Sequence, residues 1–269
     1  MSDPTRPRLP RIISVANQKG GVGKTTTAIN LGAALADEGY NVLLVDLDPQ
    51  GNASTGLGLE PEDRNYTTYD LLLDGAELSD VIKTTNVDGL LLAPATTDLS
   101  SADIEMAAAE KRSFLLHDAL RQPAIDNYDL DFILIDCPPS LSLLTVNAMV
   151  ASHSVLIPLQ SEFFALEGLS QLMLTVREVR QSANPNLRIE GVLLTMYDGR
   201  NNLSQQVQQD ARDTLGELVF DTIVPRNVRV SEAPSFAMPV TNYDPVSKGS
   251  IAYRSLAQEM VDRYDTTAS

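Results

Sequence analysis

The sequence has one cysteine, no tryptophan and only two histidines in 269 residues. A lone Cys137 excludes a disulfide framework, and also any four-cysteine metal or iron–sulfur site built by one chain. No apolar run approaches the 18 residues of a membrane-crossing helix, and Met1–Pro10 is polar and proline-rich rather than signal-like. A cytoplasmic protein is expected. Basic residues are scarce too: 20 Lys+Arg stand against 36 Asp+Glu, a net charge of −16. Taken alone, that acidity argues against nucleic acid as a partner. What is present is ordinary globular composition, 43% hydrophobic and 21% charged, which excludes wholesale disorder.

The acidity is uneven. Fifteen acidic and two basic residues lie between Asp37 and Glu105, a local balance of −13. A solvated acidic face accounts for that block. Met1–Lys24 carries +4 and Arg226–Arg254 carries +2, so the scarce cations gather in two segments. Both need a separate explanation.

Short apolar runs alternate with helical patterns along the chain. Strands are expected at Arg11–Asn17, Asn41–Asp46, Gly89–Pro94, Asp131–Asp136, Ser154–Leu159, Ile189–Thr195 and Val219–Val224. Their nearly continuous hydrophobicity fits strands buried on both faces of a parallel sheet. Helices are expected at Thr26–Glu38, Ser113–Ile125, Leu166–Ser182, Ser204–Leu215 and Ile251–Tyr264. This alternation predicts an α/β fold, a doubly wound, mostly parallel sheet with helices on both faces and ligands at the carboxyl ends of its strands. No repeat or long linker divides the chain. The expected organisation is a flexible segment 1–10, a single domain 11–265 and a polar tail 266–269.

The first strand runs directly into Asn17-Gln18-Lys19-Gly20-Gly21-Val22-Gly23-Lys24-Thr25-Thr26, followed by a helix. Glycines there let backbone N–H groups close around phosphate oxygens at a helix N-terminus. Lys24 would reach the β- and γ-phosphates, and the Thr25 hydroxyl would ligate Mg²⁺. The strict P-loop pattern fails because its first glycine falls on Gln18. The dinucleotide pattern fails because Thr26 follows Gly21 and Gly23 where a third glycine belongs. Asp136 ends an apolar strand at the same sheet edge, where a carboxylate contacts Mg²⁺ directly or through water. A strand-terminal Asp capping the turn before Pro138-Pro139 is the plainer alternative.

Lys19–Thr26 resembles the deviant Walker A loop of the ParA/MinD group of P-loop ATPases. The resemblance extends through Val42–Asn52, Ile133–Ser140, Leu193–Asp198 and Ile223–Pro234, and so covers nearly the whole chain from Arg11 onward. Partition proteins of the chromosomal ParA or Soj type are the subgroup it resembles most.

The resemblance implies an ATPase, slow and partner-stimulated, with ATP and Mg²⁺ as cofactors. Residues Lys19, Gly20, Gly21, Val22, Gly23, Lys24, Thr25 and Thr26 would hold the phosphates, and Asp46 would support the magnesium and switch region beside Thr25 and Asp136. Asp48 would position the attacking water; with an ordinary pKa of about 3.9 it is a poor base at pH 7 and better suited to orienting than deprotonating. Lys19 would cross to a partner's phosphates in an ATP-dependent homodimer. Met196, Pro225, Arg226 and Asn227 would meet adenine.

The family further implies nonspecific double-stranded DNA as a ligand, with Arg200, Arg229 and Lys248 as contacts and Arg254 as a weaker one. A ParB-type centromere-binding protein is the implied partner, no membrane is implied, and the ATP-bound state would associate with the nucleoid. Few residues precede the first strand, too few for a helix-turn-helix, and no basic stripe interleaved with aromatics occurs. The rival MinD-like branch needs a basic amphipathic C-terminal helix, whereas Ile251–Asp265 has three acids and two arginines. A lone Cys137 cannot supply the bridging cysteines of the nitrogenase iron-protein branch. Net acidity thus argues against DNA, while its distribution points to DNA conditionally, once ATP-dependent dimerisation doubles a small basic face.

Overall fold

The computed structural model describes residues 9–162 and 165–268. Residues 1–8, which make up most of the expected N-terminal segment, and Ser269 lie outside the described residues. Eight strands form one sheet: β1 (Arg11–Val15), β2 (Val42–Asp46), β3 (Lys83–Thr84), β4 (Leu90–Ala93), β5 (Phe132–Asp136), β6 (Ser154–Gln160), β7 (Arg188–Tyr197) and β8 (Val219–Pro225). Their order is β3-β4-β2-β5-β1-β6-β7-β8. Every neighbouring pair is parallel except β3–β4.

Eleven α-helices are described: α1 (Lys24–Asp37), α2 (Asn52–Gly56), α3 (Leu78–Val81), α4 (Leu99–Met106), α5 (Leu115–Ala119), α6 (Leu143–Ala151), α7 (Ala165–Ser182), α8 (Asn202–Leu215), α9 (Val228–Glu232), α10 (Val240–Tyr243) and α11 (Lys248–Ala268). Alternate strand residues feed two separate cores. Ile12, Leu43, Ile133 and Ile157 face α4–α7, while Ile13, Leu44, Leu134 and Leu156 face α1 and α11. Both faces are therefore apolar, and this is why the strands read as continuous hydrophobic runs. From β1 the chain winds outward through β2 and β4, returns to β5, then continues through β6, β7 and β8 to the other edge. Strand order thus reverses at β1, and a crevice for ligands opens at its carboxyl end.

All seven expected strands form, and the sheet is the doubly wound one expected. The expected helix at Ser113–Ile125 is split, because Pro123 stops α5 and opens a 3₁₀ turn over Pro123–Tyr128. The final helix runs to Ala268, into the residues expected as a tail. Both sheet edges are closed. β3 is two residues of antiparallel cover on β4. At β8, Glu259 of α11 accepts from Asp221 N at 2.8 Å and Thr222 N at 2.9 Å, while Arg212 and Arg263 donate to the Phe220 and Val219 carbonyls.

Candidate nucleotide site

The loop between β1 and α1 is pinned from two sides. Asn17 donates from Nδ2 to the Pro158 carbonyl of β6 at 2.7 Å and accepts from Lys19 N at 3.0 Å. Thr195, near the end of β7, donates from Oγ1 to the Val22 carbonyl at 2.9 Å. Gly21 (φ 73°) and Gly23 (φ 87°) take left-handed conformations that other residues rarely adopt. Gly23 is the N-cap of α1 and offers no side chain, so the first-turn N–H groups are left for an anion. Lys24 is buried, and its Nζ donates to the Lys19 carbonyl at 3.1 Å. Burial lowers its pKa against the pull of Asp136, Cys137 and Asp48. The Lys19 ammonium pairs with Glu162 at 3.2 Å.

Asp46 and Asp136 are register partners on β2 and β5, both fully buried. Their surroundings differ completely. Asp46 accepts from Ser54 N at 2.9 Å, Ser54 Oγ at 2.7 Å and Asp48 N at 3.1 Å, yet burial still pushes its carboxyl up to about 6. Neither oxygen of Asp136 has a hydrogen-bond partner among the described residues. Burial, then repulsion from Asp46, holds this carboxyl well above its ordinary range, with the adjacent Thr25 hydroxyl pulling the other way. A bare buried carboxylate beside a threonine hydroxyl fits a hard cation that takes oxygen ligands. Among the described residues no cluster of three His, Cys, Asp or Glu side chains could hold a metal, so such an ion would draw its other ligands from phosphate and water. Asp48 sits at the mouth, 7% exposed, in a turn closed by Gln50 N to its Oδ1 and Gly51 N to its carbonyl.

The remaining expected residues gather at the same sheet edge. Met196, next to last in β7, has φ 51°, and its Cε lies 3.8 Å from where a Cβ on Gly23 would be. Arg226 N donates to the Tyr197 carbonyl at 2.9 Å, tying the loop after β8, with Pro225, to the end of β7. Asn227 caps α9 through Arg229 N. Two of the basic residues expected at DNA, Arg200 and Arg229, are already paired. Arg200 holds Asp198 through two hydrogen bonds and draws its carboxyl down to about 2. Arg229 meets Glu232 at 2.8 Å and Asp244 at 3.3 Å, and Lys248 is exposed at the start of α11. Cys137 is buried, as a small hydrophobe would be. Ser54, Thr195, Glu162 and Arg64 were not legible as site residues; only Thr195, at a strand terminus on the crevice edge, carried a positional signal.

This sheet order, with a glycine-rich loop and a bare aspartate on the adjacent strand, defines an α/β nucleotide-binding domain of the P-loop class. A family model for an AAA domain matches residues 10–189. Chromosome partitioning protein ParA of Caulobacter vibrioides is 55% identical over 94% of each chain. Sporulation initiation inhibitor protein Soj of Bacillus subtilis is 53% identical, over 93% of this chain and 98% of its own. Among solved structures, cobyrinic acid a,c-diamide synthase from Mycobacterium smegmatis with bound ATP analogue and magnesium superposes with a TM-score of 0.82 at 38% identity, covering 96% and 97% of the two chains. Pyrococcus furiosus cell division ATPase MinD gives 0.76 at 30% identity, over 94% and 98%. The chain belongs to the ParA/Soj family of chromosome-partitioning ATPases.

Proposed function

We propose that the protein binds ATP and Mg²⁺ at the β1–α1 loop and hydrolyses ATP slowly. The ATP-bound chain pairs into a homodimer that holds double-stranded DNA without sequence preference, and moves chromosome or plasmid DNA with a ParB-type centromere-binding partner. Residues 11–265 act as one ATPase unit. The observation that carries this reading is Asp136, a buried carboxylate left without a donor beside Thr25 and Lys24.

Magnesium, when bound, would neutralise phosphate charge, with Thr25 and Asp136 as the residues that would hold it. The chain's own groups do the positioning. Residues Gly20–Thr26 cradle the phosphates through backbone N–H groups, and Lys24 places its ammonium on them. Asp46 keeps the switch turn in place through Ser54 and the Asp48 amide, and Asp48 orients water. Lys19 exchanges its exposed pairing with Glu162 for a partner subunit's phosphates.

On DNA, phosphates replace Asp198 and Glu232 as partners of Arg200 and Arg229, so the isolated chain's basic face is masked by its own carboxylates. Membrane attachment, the alternative from MinD-like relatives, is disfavoured because α11 buries Tyr253, Leu256, Ala257 and Met260 in the core. Among the described residues no helix is long and apolar enough to cross a membrane.

The test is retardation of nonspecific duplex DNA with ATP, ADP and no nucleotide. Retardation is expected with ATP alone. Four neutralised phosphates per dimer would give a log–log salt slope of about −3.6. Lys19→Gln should bind ATP yet neither dimerise nor retard DNA. Nucleotide-independent or salt-independent binding overturns the reading. The likeness to an amide-forming synthase favours a second reading, in which ATP consumption depends on an added carboxylic acid; hydrolysis without any acceptor excludes it.

A further inference from the structure

Arg64 is a buried cation with no acidic partner within ion-pair distance among the described residues, only 8% exposed in the middle of the acidic block. It follows a 3₁₀ turn (Pro61–Asp63) and folds back over the segment it belongs to. Its Nε and Nη2 donate to the Leu59 carbonyl at 3.0 and 2.6 Å, Nη2 also to Thr55 Oγ1 of α2 at 2.7 Å, and Nη1 to the Ala95 carbonyl beyond β4 at 2.9 Å. A guanidinium taken out of water onto neutral acceptors, with Asp46, Glu60 and Glu62 attracting it only from beyond ion-pair distance, is a costly arrangement to hold.

What the guanidinium touches is the switch turn. A Cβ on Gly51 would lie within 2.9 Å of the Ala95 carbonyl and still closer to Arg64 Nη1, so the end of the guanidinium packs directly against Gly51. Gly51 is left-handed (φ 60°), closes the turn onto the Asp48 carbonyl at 2.8 Å and caps α2 by accepting from Thr55 N at 3.0 Å. Ala95 is thereby held twice: its N–H donates to Ser54 Oγ at 3.0 Å, and its carbonyl accepts from Arg64. Ser54 Oγ in turn donates to Asp46. One small network joins Asp46, the Asp48–Gly51 turn, α2 and the end of β4.

We propose that Arg64 is a positioning residue for ATP hydrolysis, fixing the Asp48 carboxylate by clamping Gly51 and α2 onto Ala95. This rests on the reading of Asp48 as the group that orients the attacking water. Arg64 acts through the Gly51 turn and α2, setting the place of Asp48. A lysine there keeps the charge and stem but cannot reach Thr55, Leu59 and Ala95 together. A methyl on Gly51 displaces the same guanidinium from the other side.

The test measures steady-state kcat and KM for MgATP, with fluorescent ATP-analogue affinity, on the full chain and on Arg64→Lys, Gly51→Ala and Asp48→Ala. A displacement of the order of 1 Å at a catalytic group reduces rate by about a hundredfold. The expectation for both Arg64→Lys and Gly51→Ala is a kcat at least about tenfold lower, with KM and affinity within about twofold of the parent. A parent-level kcat in both variants, with Asp48→Ala inactive, overturns the role of Arg64 and leaves that of Asp48 standing. Affinity falling in step with kcat assigns Arg64 to nucleotide binding or plain folding and also overturns it. Full turnover by Asp48→Ala removes the reading of Asp48 and this one with it.

Discussion

The two ends of the sheet treat buried charge in opposite ways. At the carboxyl end, Asp136 has no donor among the described residues, and Lys24 answers a backbone carbonyl rather than a carboxylate. At the amino end, Glu190 of β7 is also buried but is bonded to Arg11 and Ser154, and the Arg11 guanidinium rests 4.5 Å over the Tyr264 ring. His153 accepts from Ile12 N at 2.9 Å beside them. A cleft of about 1330 Å³ lies at this matched end. A cavity alone therefore does not locate the site; an unpartnered buried carboxyl does.

That contrast breaks most severely at Arg11. Replacing it with methionine leaves Glu190 buried without a counter-charge and should cost about 3 kcal/mol in urea unfolding, with ATP turnover per folded molecule unchanged. A loss below about 1 kcal/mol would place Glu190 in better contact with water than its burial implies. Asp136→Asn should act in the reverse sense. Turnover is expected to fall by about a hundredfold or more, while the nucleotide-free protein gains on the order of 1 kcal/mol by losing an unmatched carboxylate. A variant that loses both activity and stability would show that Asp136 supports the fold as well.

The smallest effect is a pH profile. Burial, with Arg121 and Arg11 nearby, lowers the pKa of His153 below its ordinary 6.5. The unfolded chain then takes up a proton that the fold refuses, so this stabilisation is complete above pH 6.5 and is lost as pH falls through the folded value. His153→Asn, which keeps an acceptor for Ile12 N, should flatten the decline of melting temperature between pH 7 and 5. An unchanged decline would assign it to other groups.

Much of the fold was legible because strands buried on both faces announce themselves as apolar runs. The phosphate loop was legible because glycines and two of only five lysines cluster between a strand and a helix. Several elements escaped, the short α2, α3, α4, α9 and α10 together with α6 and β3. α6 is buried almost all round, so Leu143–Ala151 shows no polar face to set a period. β3 is two residues, Lys83 and Thr84, with no hydrophobic run at all. Within the site, Ser54 and Arg64 escaped because polar residues among acids in an irregular segment look like solvent-facing loop. Only three-dimensional closure reveals that their donors are spent on Asp46, Thr55, Leu59 and Ala95.

The closed sheet edges have a consequence for solubility. An exposed strand edge is a template onto which another chain adds strands without limit. Here Glu259 occupies two N–H groups of β8, and Arg212 and Arg263 occupy two of its carbonyls, while a short strand carrying Lys83 covers the opposite border. Backbone-driven growth into fibres is hindered at the β8 border by side chains of the same molecule and at the other by the shortness of β3 and its Lys83, so crowding many copies together favours no strand-by-strand addition.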